Sequence, residues 1–124
     1  MNCLFCKINN GDINSYKIYE DELVIAFLDI NPQSNGHTLI VPKNHYENYL
    51  DIDNDLFSHI LKVAKLLHKQ LEEKLNCDGI TMLHNYGIAQ EIKHYHFHLI
   101  PRYSKEEKLT IEQVYEKLKK ESIS

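Results

Sequence analysis

The chain has 124 residues, a length that fits one compact domain spanning residues 1–124 and leaves little room for two independent cores. Its 14 Lys and Arg stand against 18 Asp and Glu, a net charge of −4 with histidine neutral, which argues against a nucleic-acid partner because such binding rests largely on basic residues neutralising phosphates. With 43% hydrophobic residues the chain can fill a small core, so wholesale disorder is excluded.

Residues 16–20 and 23–28 read as two short strands around the acidic turn Glu20, Asp21, Glu22, most simply joined as a hairpin. Asn31, Pro32, Gln33, Ser34, Asn35 and Gly36 form a dense turn cluster, after which His37 to Val41 is a third strand that Pro42 ends. Asp51 and Asp53 offer N-caps to the clearest helix, in which Leu56, Ile60, Val63, Ala64, Leu67, Leu71 and Leu75 recur at steps of three and four. Gly79 marks where the chain has turned out of it, and Ile80 to Leu83 is a fourth strand. His94 to Ile100 is a fifth. Thr110 with Gln113 makes a capping box for a last helix along Ile111, Val114, Tyr115 and Leu118, with Lys119 and Lys120 suited to its C-terminal dipole. Strands in hairpins with two longer helices on one side make an α+β domain with a mainly antiparallel sheet.

The segment His94, Tyr95, His96, Phe97, His98, Leu99, Ile100 alternates histidine with bulky apolar residues at the period of a strand, so the imidazoles share a face. Tyr95, Phe97 and Leu99 point to the other face, where the amphipathic helix can cover them, which leaves the histidines exposed or lining a cleft. The Cα atoms of His94 and His98 lie roughly 13 Å apart on a straight strand, so three histidines do not easily converge on one ion. Three readings compete: chance alternation on a surface strand, a catalytic zinc held by two of the histidines with His37, and a histidine nucleophile whose neighbours hold anionic oxygens.

No apolar run approaches the roughly 20 residues of a membrane helix, and Met1 to Lys7 has no charged segment followed by an apolar one, so a cytoplasmic location away from membranes is expected. The cysteines at 3, 6 and 77 are an odd set with one close pair, unlike a disulfide scaffold. The Cys3-x-x-Cys6 pair is shared by zinc sites and redox motifs, and a redox motif wants a strand before it. A closed tetrahedral zinc needs two more ligands.

These motifs together resemble the histidine triad (HIT) superfamily, and specifically its Hint-like branch of nucleotide-binding hydrolases, over nearly the whole chain. The defining pattern, His-x-His-x-His followed by two apolar residues, is matched from His94 to Ile100 before Pro101 and Arg102. Phe27 to Pro32 is similar to the family's sugar and base segment, and Gly36 to His45 to its second signature. The resemblance implies a HIT-like fold and a homodimer with a ten-stranded sheet. It implies His96 as nucleophile toward the α-phosphorus of a purine nucleotide, with His98 and His37 contacting phosphate oxygens. Asn85 and the backbone around Gly87, Ala89 and Gln90 would embrace the phosphate, Asp29 would bind the ribose hydroxyls, and Phe5, Ile8, Phe27 and Ile30 would wall the purine. It also supplies the missing metal ligands: bacterial members hold zinc with the cysteine pair and histidines equivalent to His45 and His94. Nucleoside 5′-phosphoramidates or related adenylated compounds are the implied substrates. Dinucleoside polyphosphate hydrolysis, as in the Fhit branch, and a non-catalytic nucleotide-binding adaptor are the alternatives. Glu91 departs from the serine of eukaryotic members and is either a proton donor or a solvated side chain.

Overall fold

The structure is a computed structural model and describes residues 3–119. Five strands form one antiparallel sheet: β1 (Lys17–Glu20), β2 (Val24–Leu28), β3 (Thr38–Pro42), β4 (Gly79–Leu83) and β5 (Phe97–Arg102), in the spatial order β1-β2-β3-β5-β4. Three α-helices accompany it, α1 (Leu4–Asn9), α2 (Asn54–Leu75) and α3 (Ile111–Lys119). This is the α+β architecture expected, with two longer helices and the additional short α1.

Alternation along the strands sorts side chains into two cores. Val24, Ala26, Leu28, Ile40, Tyr95, Phe97 and Leu99 meet the apolar stripe of α2 and Val114 and Leu118 of α3. Ile25, Phe27, Leu39 and Val41 face the other way, onto Cys3 and Phe5 at the start of the chain. Both faces of β2 and β3 are therefore buried, which is why those segments read as continuous apolar runs rather than alternating ones.

Local chemistry sets the boundaries. Asp21 Oδ1 accepts the backbone N–H groups of Leu23 and Val24 at 2.8 and 2.9 Å and closes the β1–β2 turn. Asp53 caps α2 through Leu56 N–H at 2.8 Å, while Asp51 belongs to a 3-10 turn at Tyr49–Asp51 before it. The helix ends at Asn76 in the left-handed region (φ 54°), and Gly79 is instead the first residue of β4; asparagine tolerates that conformation, so no glycine was needed. The capping box is formed in both directions, Thr110 N–H to Gln113 Oε1 at 2.9 Å and Gln113 N–H to Thr110 Oγ1 at 3.1 Å. Lys119 closes α3, and Lys120 lies outside the described residues.

Two strand limits differ from the sequence pattern. Pro42 is the last residue of β3 rather than its stop, because it still pairs with Val24 at the end of the ladder. The fifth strand begins at Phe97, because Tyr95 N–H is taken by Tyr46 C=O at 2.6 Å and not by β3. His94 to His96 are thus aligned with β5 but held by the loop after β3.

The turn before β3 is clamped from several sides. Asn35 is buried; its amide donates to Glu107 C=O at 2.7 Å and accepts Leu109 N–H at 3.0 Å, and its carbonyl accepts the Tyr103 hydroxyl at 2.6 Å. Gly36 follows with φ 92°, and a Cβ there would stand 2.5 Å from Leu75 Cδ1 and 3.2 Å from both Leu71 Cδ2 and Pro101 Cγ. This contact sets the height of His37 against α2. Gly36→Ala combines backbone strain with overpacking and is expected to cost about 2 kcal/mol or more, read as a lower urea midpoint; an unchanged midpoint would contradict this placement of the turn.

Candidate active site

The side-chain alternation survives across the strand boundary. Tyr95, Phe97 and Leu99 pack in the core under α2, while His96 and His98 line a cavity of about 440 Å³ on the opposite face. The histidine row is cleft-lining, as expected, yet its rings are buried beneath α1 rather than exposed. His94 is absent from the cavity wall and points toward the cysteine pair. The three histidines therefore serve two places, and chance alternation on a surface strand does not describe them.

Backbone partners dictate opposite tautomers for the two cavity histidines. His94 C=O can only accept, so at 2.8 Å it takes the Nδ1–H of His96 and leaves Nε2 as a free lone pair. Gln33 N–H can only donate, so at 3.1 Å it takes Nδ1 of His37 as acceptor and leaves the proton on Nε2. That proton is donated to Nδ1 of His98 at 2.9 Å, which leaves His98 with an N–H at Nε2. Among the described residues this Nε2 is buried with no hydrogen-bond partner. A lone pair on His96 and an unspent donor on His98, with ring centroids 4.8 Å apart, address the same cavity.

Burial keeps these rings neutral. It holds His96 below the ordinary histidine range, against the His94 carbonyl and the carboxylates of Asp29 and Glu91, which pull the other way. His37 is also lowered by burial, opposed by Asp29, whose Oδ2 lies 3.7 Å from Nε2. His98 is pushed down to about 4 by burial and then by the neighbouring His96 and His37.

The wall of the cavity gathers the sequence candidates. Phe5 and Ile8 come from α1, Phe27 from β2, Asp29 and Ile30 from the loop after it, and Asn85 and Ala89 from the loop before β5. The Phe5 ring stands 5.5 Å from Phe27 and 5.0 Å from His96. Phe27 belongs to the core cluster beneath α1 and also lines the cavity. Asp29 Oδ1 accepts Asn31 N–H at 2.9 Å, which orients the carboxylate. Gly87 and Gln90 are not on the wall: Gly87 opens a 3-10 turn with φ 71°, and the buried Gln90 amide donates to Glu47 C=O at 2.6 Å, so its side chain anchors the loop. Ile13, Asn14 and Ser15 line the cavity without having been foreseen, because nothing in a polar connecting segment signals which cleft it borders. Leu4 joins the expected Phe5 and Ile8 on the wall, and the helix that carries all three has six residues, too few for a periodic pattern.

The cysteine pair meets the two histidines expected of it. Cys3 Sγ lies 3.2 Å from His94 Nδ1, and Cys6 Sγ lies 3.4 Å from His45 Nδ1 and 3.5 Å from His94 Nδ1. All four candidate ligand atoms fall within 4.8 Å of one another. Ligands at the vertices of a zinc tetrahedron stand about 3.3 to 3.8 Å apart, so the spacing suits that ion. His94 Nε2–H donates to Pro42 C=O at 2.9 Å, which turns the Nδ1 lone pair toward the sulfurs. Burial and the neighbouring Cys3 push the Cys6 thiol up to about 11, so the sulfur keeps its proton unless a cation stands beside it. Asp29, His37 and His98 form a second close group, but the 2.9 Å N–H···N bond between the two rings accounts for their approach. Cys77 is half-buried at the end of α2, and His59, His68 and His84 bond Asp21, Glu72 and the Tyr95 hydroxyl away from the cavity.

The low value of His98 carries a signed consequence for stability. Folded His98 takes up a proton only near pH 4, whereas the unfolded side chain does so near 6.5, so its contribution is complete above 6.5 and is lost as the pH falls toward 4. Urea unfolding from pH 7 to pH 4 should lose stability on the order of 3 kcal/mol through this group. His98→Asn should flatten that part of the profile; an identical slope in the variant would refute the assignment.

The chain matches the family model of the HIT domain over residues 10–105. An uncharacterized HIT-like protein of Methanocaldococcus jannaschii is 48% identical over 103 residues, 82% of this chain and 79% of that one. The adenosine 5′-monophosphoramidase of Saccharomyces cerevisiae is 42% identical over 102 residues, 81% of this chain and 62% of the yeast protein. The crystal structure of a Zn-bound histidine triad family protein from Mycobacterium smegmatis superposes with a TM-score of 0.87 at 32% identity, covering 95% of this chain and 91% of that one. With the domain model spanning most of its length and these relatives aligned across it, the chain belongs to the histidine triad (HIT) family.

Proposed function

We propose that the protein hydrolyses purine nucleoside 5′-phosphoramidates or related adenylated compounds through a covalent nucleotidyl-His96 intermediate. The observation that carries this reading is the opposed pair of tautomers, a lone pair on His96 Nε2 beside an unpartnered donor on His98 Nε2. Support from similarity comes from the yeast relative, whose name is that of an adenosine 5′-monophosphoramidase.

In this reading the purine lies between Phe5, Ile8, Phe27 and Ile30, and the ribose hydroxyls donate to Asp29. His96 Nε2 attacks the α-phosphorus while Nδ1–H stays on the His94 carbonyl, which stabilises the charge that develops on the ring. The P–N bond breaks, its electron pair goes to nitrogen, and the amine takes up a proton from solvent at the cavity mouth. His98 Nε2–H donates to a phosphate oxygen, and Asn85 borders the same space. Water then adds to phosphorus, the His96–phosphorus bond breaks with its pair returning to Nε2, and the nucleoside monophosphate leaves as the water's proton passes to solvent.

Cys3, Cys6, His45 and His94 are proposed to hold a structural zinc, supported by their spacing and by the Zn-bound relative. Such an ion would pin α1, and with it Phe5 and Ile8, against the histidine strand. A homodimer through the β4 edge is proposed on the grounds that β4 is a terminal strand of the sheet and its Met82 is exposed.

Two experiments separate these elements. His96→Ala should lower release of adenosine monophosphate from adenosine 5′-phosphoramidate by three or more orders of magnitude, with nucleotide binding kept, because it removes an interaction made in the transition state. Turnover retained in the variant would end the nucleophile assignment; diadenosine polyphosphates cleaved faster than the phosphoramidate, or neither cleaved while nucleotide binds, would favour the two alternatives. Cys6→Ser should lose bound zinc by elemental analysis and several degrees of Tm while residual folded protein still turns over. Immediate loss of chemistry on chelation of a protein that stays folded would instead place the metal in the reaction.

A further inference from the structure

The charges on the cavity wall are one-sided. Among the described residues, Asp29 and Glu91 are, besides the neutral histidines, the only charged side chains that line it, and no Lys or Arg does. Lys93, two residues from Glu91, is committed elsewhere, its Nζ donating to Gly87 C=O at 2.7 Å. A pocket meant for several phosphates would gather cations, since each added anionic group must otherwise be held against the two carboxylates.

Glu91 differs from Asp29 in being uncommitted. Asp29 is oriented by Asn31 N–H and stands beside His37, whereas among the described residues no hydrogen bond or ion pair engages the Glu91 carboxylate. Its position is nevertheless fixed by its neighbours. Gln90 before it is buried and bonded to Glu47 C=O, and Ile92 after it packs on the core cluster beneath α1. The backbone at 91 is held on both sides while the side chain is exposed at the cavity rim, near enough for its charge to be felt at the His96 ring.

We propose that Glu91 determines leaving-group specificity, selecting phosphoramidates whose amine portion carries a second, positively charged ammonium group over those whose leaving group is anionic. This inference rests on the phosphoramidase reading above and names its substrate class. The purine and ribose ends of the cavity are already spoken for by apolar residues and Asp29. The portion of substrate beyond the phosphorus must exit past the rim, and the partnerless charge there is a carboxylate. A leaving ammonium-bearing amine pairs with it at no cost to the protein, while a phosphate or carboxylate tail is repelled. An attraction for one sign and a repulsion for the other add, so even in a water-screened site the two differ by roughly tenfold.

The test uses three adenosine 5′-phosphoramidates of similar size, made from 1,2-diaminoethane, propylamine and β-alanine, with the full-length wild type, Glu91→Gln and Glu91→Lys. Leaving-group chemistry is the same for every protein, so changes in the ratios of kcat/KM between proteins report the side chain alone. The wild type should prefer the diaminoethane compound over the β-alanine compound by tenfold or more at low salt, less so in 0.5 M NaCl. Glu91→Gln should bring the two within about threefold, and Glu91→Lys should reverse them. Ratios unchanged by either substitution would overturn the proposal, as would an equal loss on all three compounds in Glu91→Gln, the mark of a proton donor. Release of adenosine monophosphate from none of the three by the wild type would remove the phosphoramidase reading itself, and this one with it.

Discussion

The carbonyl oxygen of His94 fixes the chemistry of the site. By accepting the Nδ1–H of His96 at 2.8 Å it settles which nitrogen of the buried ring carries the proton and which carries the lone pair. The same residue has its Nε2–H on Pro42 C=O and its Nδ1 toward Cys3 and Cys6, so one histidine joins the metal-type cluster, the end of β3 and the cavity ring. Anything that moved His94 would move all three. Its complete burial, with Phe5 packed edge-on at 5.8 Å, is the structural expression of that constraint.

A second chain of bonds supplies the complementary tautomer. It starts from a backbone N–H at Gln33, passes through His37 and ends on His98, and every link is buried or half-buried. The turn that carries Gln33 is held by Asn35 against the segment 103–109 and by Gly36 against α2. The apolar core under the sheet is thus coupled to the proton inventory of the cavity: the packing that seats Gly36 sets where His37 stands. Such preorganised donors act without reorganisation cost, which is the physical basis for the role proposed for His98, with His37 setting its tautomer. Among the described residues the cavity is lined by carboxylates and neutral imidazoles rather than cations, so donors from rings and loop groups must do the work that lysine and arginine do in polyphosphate sites.

Much of this was legible in the residues. The alternation from His94 to Ile100 correctly sorted Tyr95, Phe97 and Leu99 into the core under α2, and the three- and four-residue spacing of leucines marked that helix to its last turn. Periodicity is a local property of the chain, so it survives into the fold wherever a segment packs on one face. Boundaries were less legible, because they depend on partners distant in sequence: Tyr46 takes the Tyr95 N–H and delays β5, and Asn76 rather than Gly79 ends α2. The anchor that the Gln90 side chain makes to Glu47 C=O is another such distant partner.

The sequence by itself determined the α+β class, the family resemblance, and which residue types would meet at the site, since those follow from pattern and motif. Only the tertiary structure decided how they meet. The split of the histidine row into a cysteine-facing His94 and a cavity-facing pair, the relay of the His37 proton to His98 and the cover of α1 arise from contacts between segments distant along the chain, 91 residues for Cys3 and His94 and 61 for His37 and His98. A ring nitrogen's proton and a carboxylate's neighbours are fixed by what the fold brings within about 3 Å, and no spacing along the chain encodes that distance.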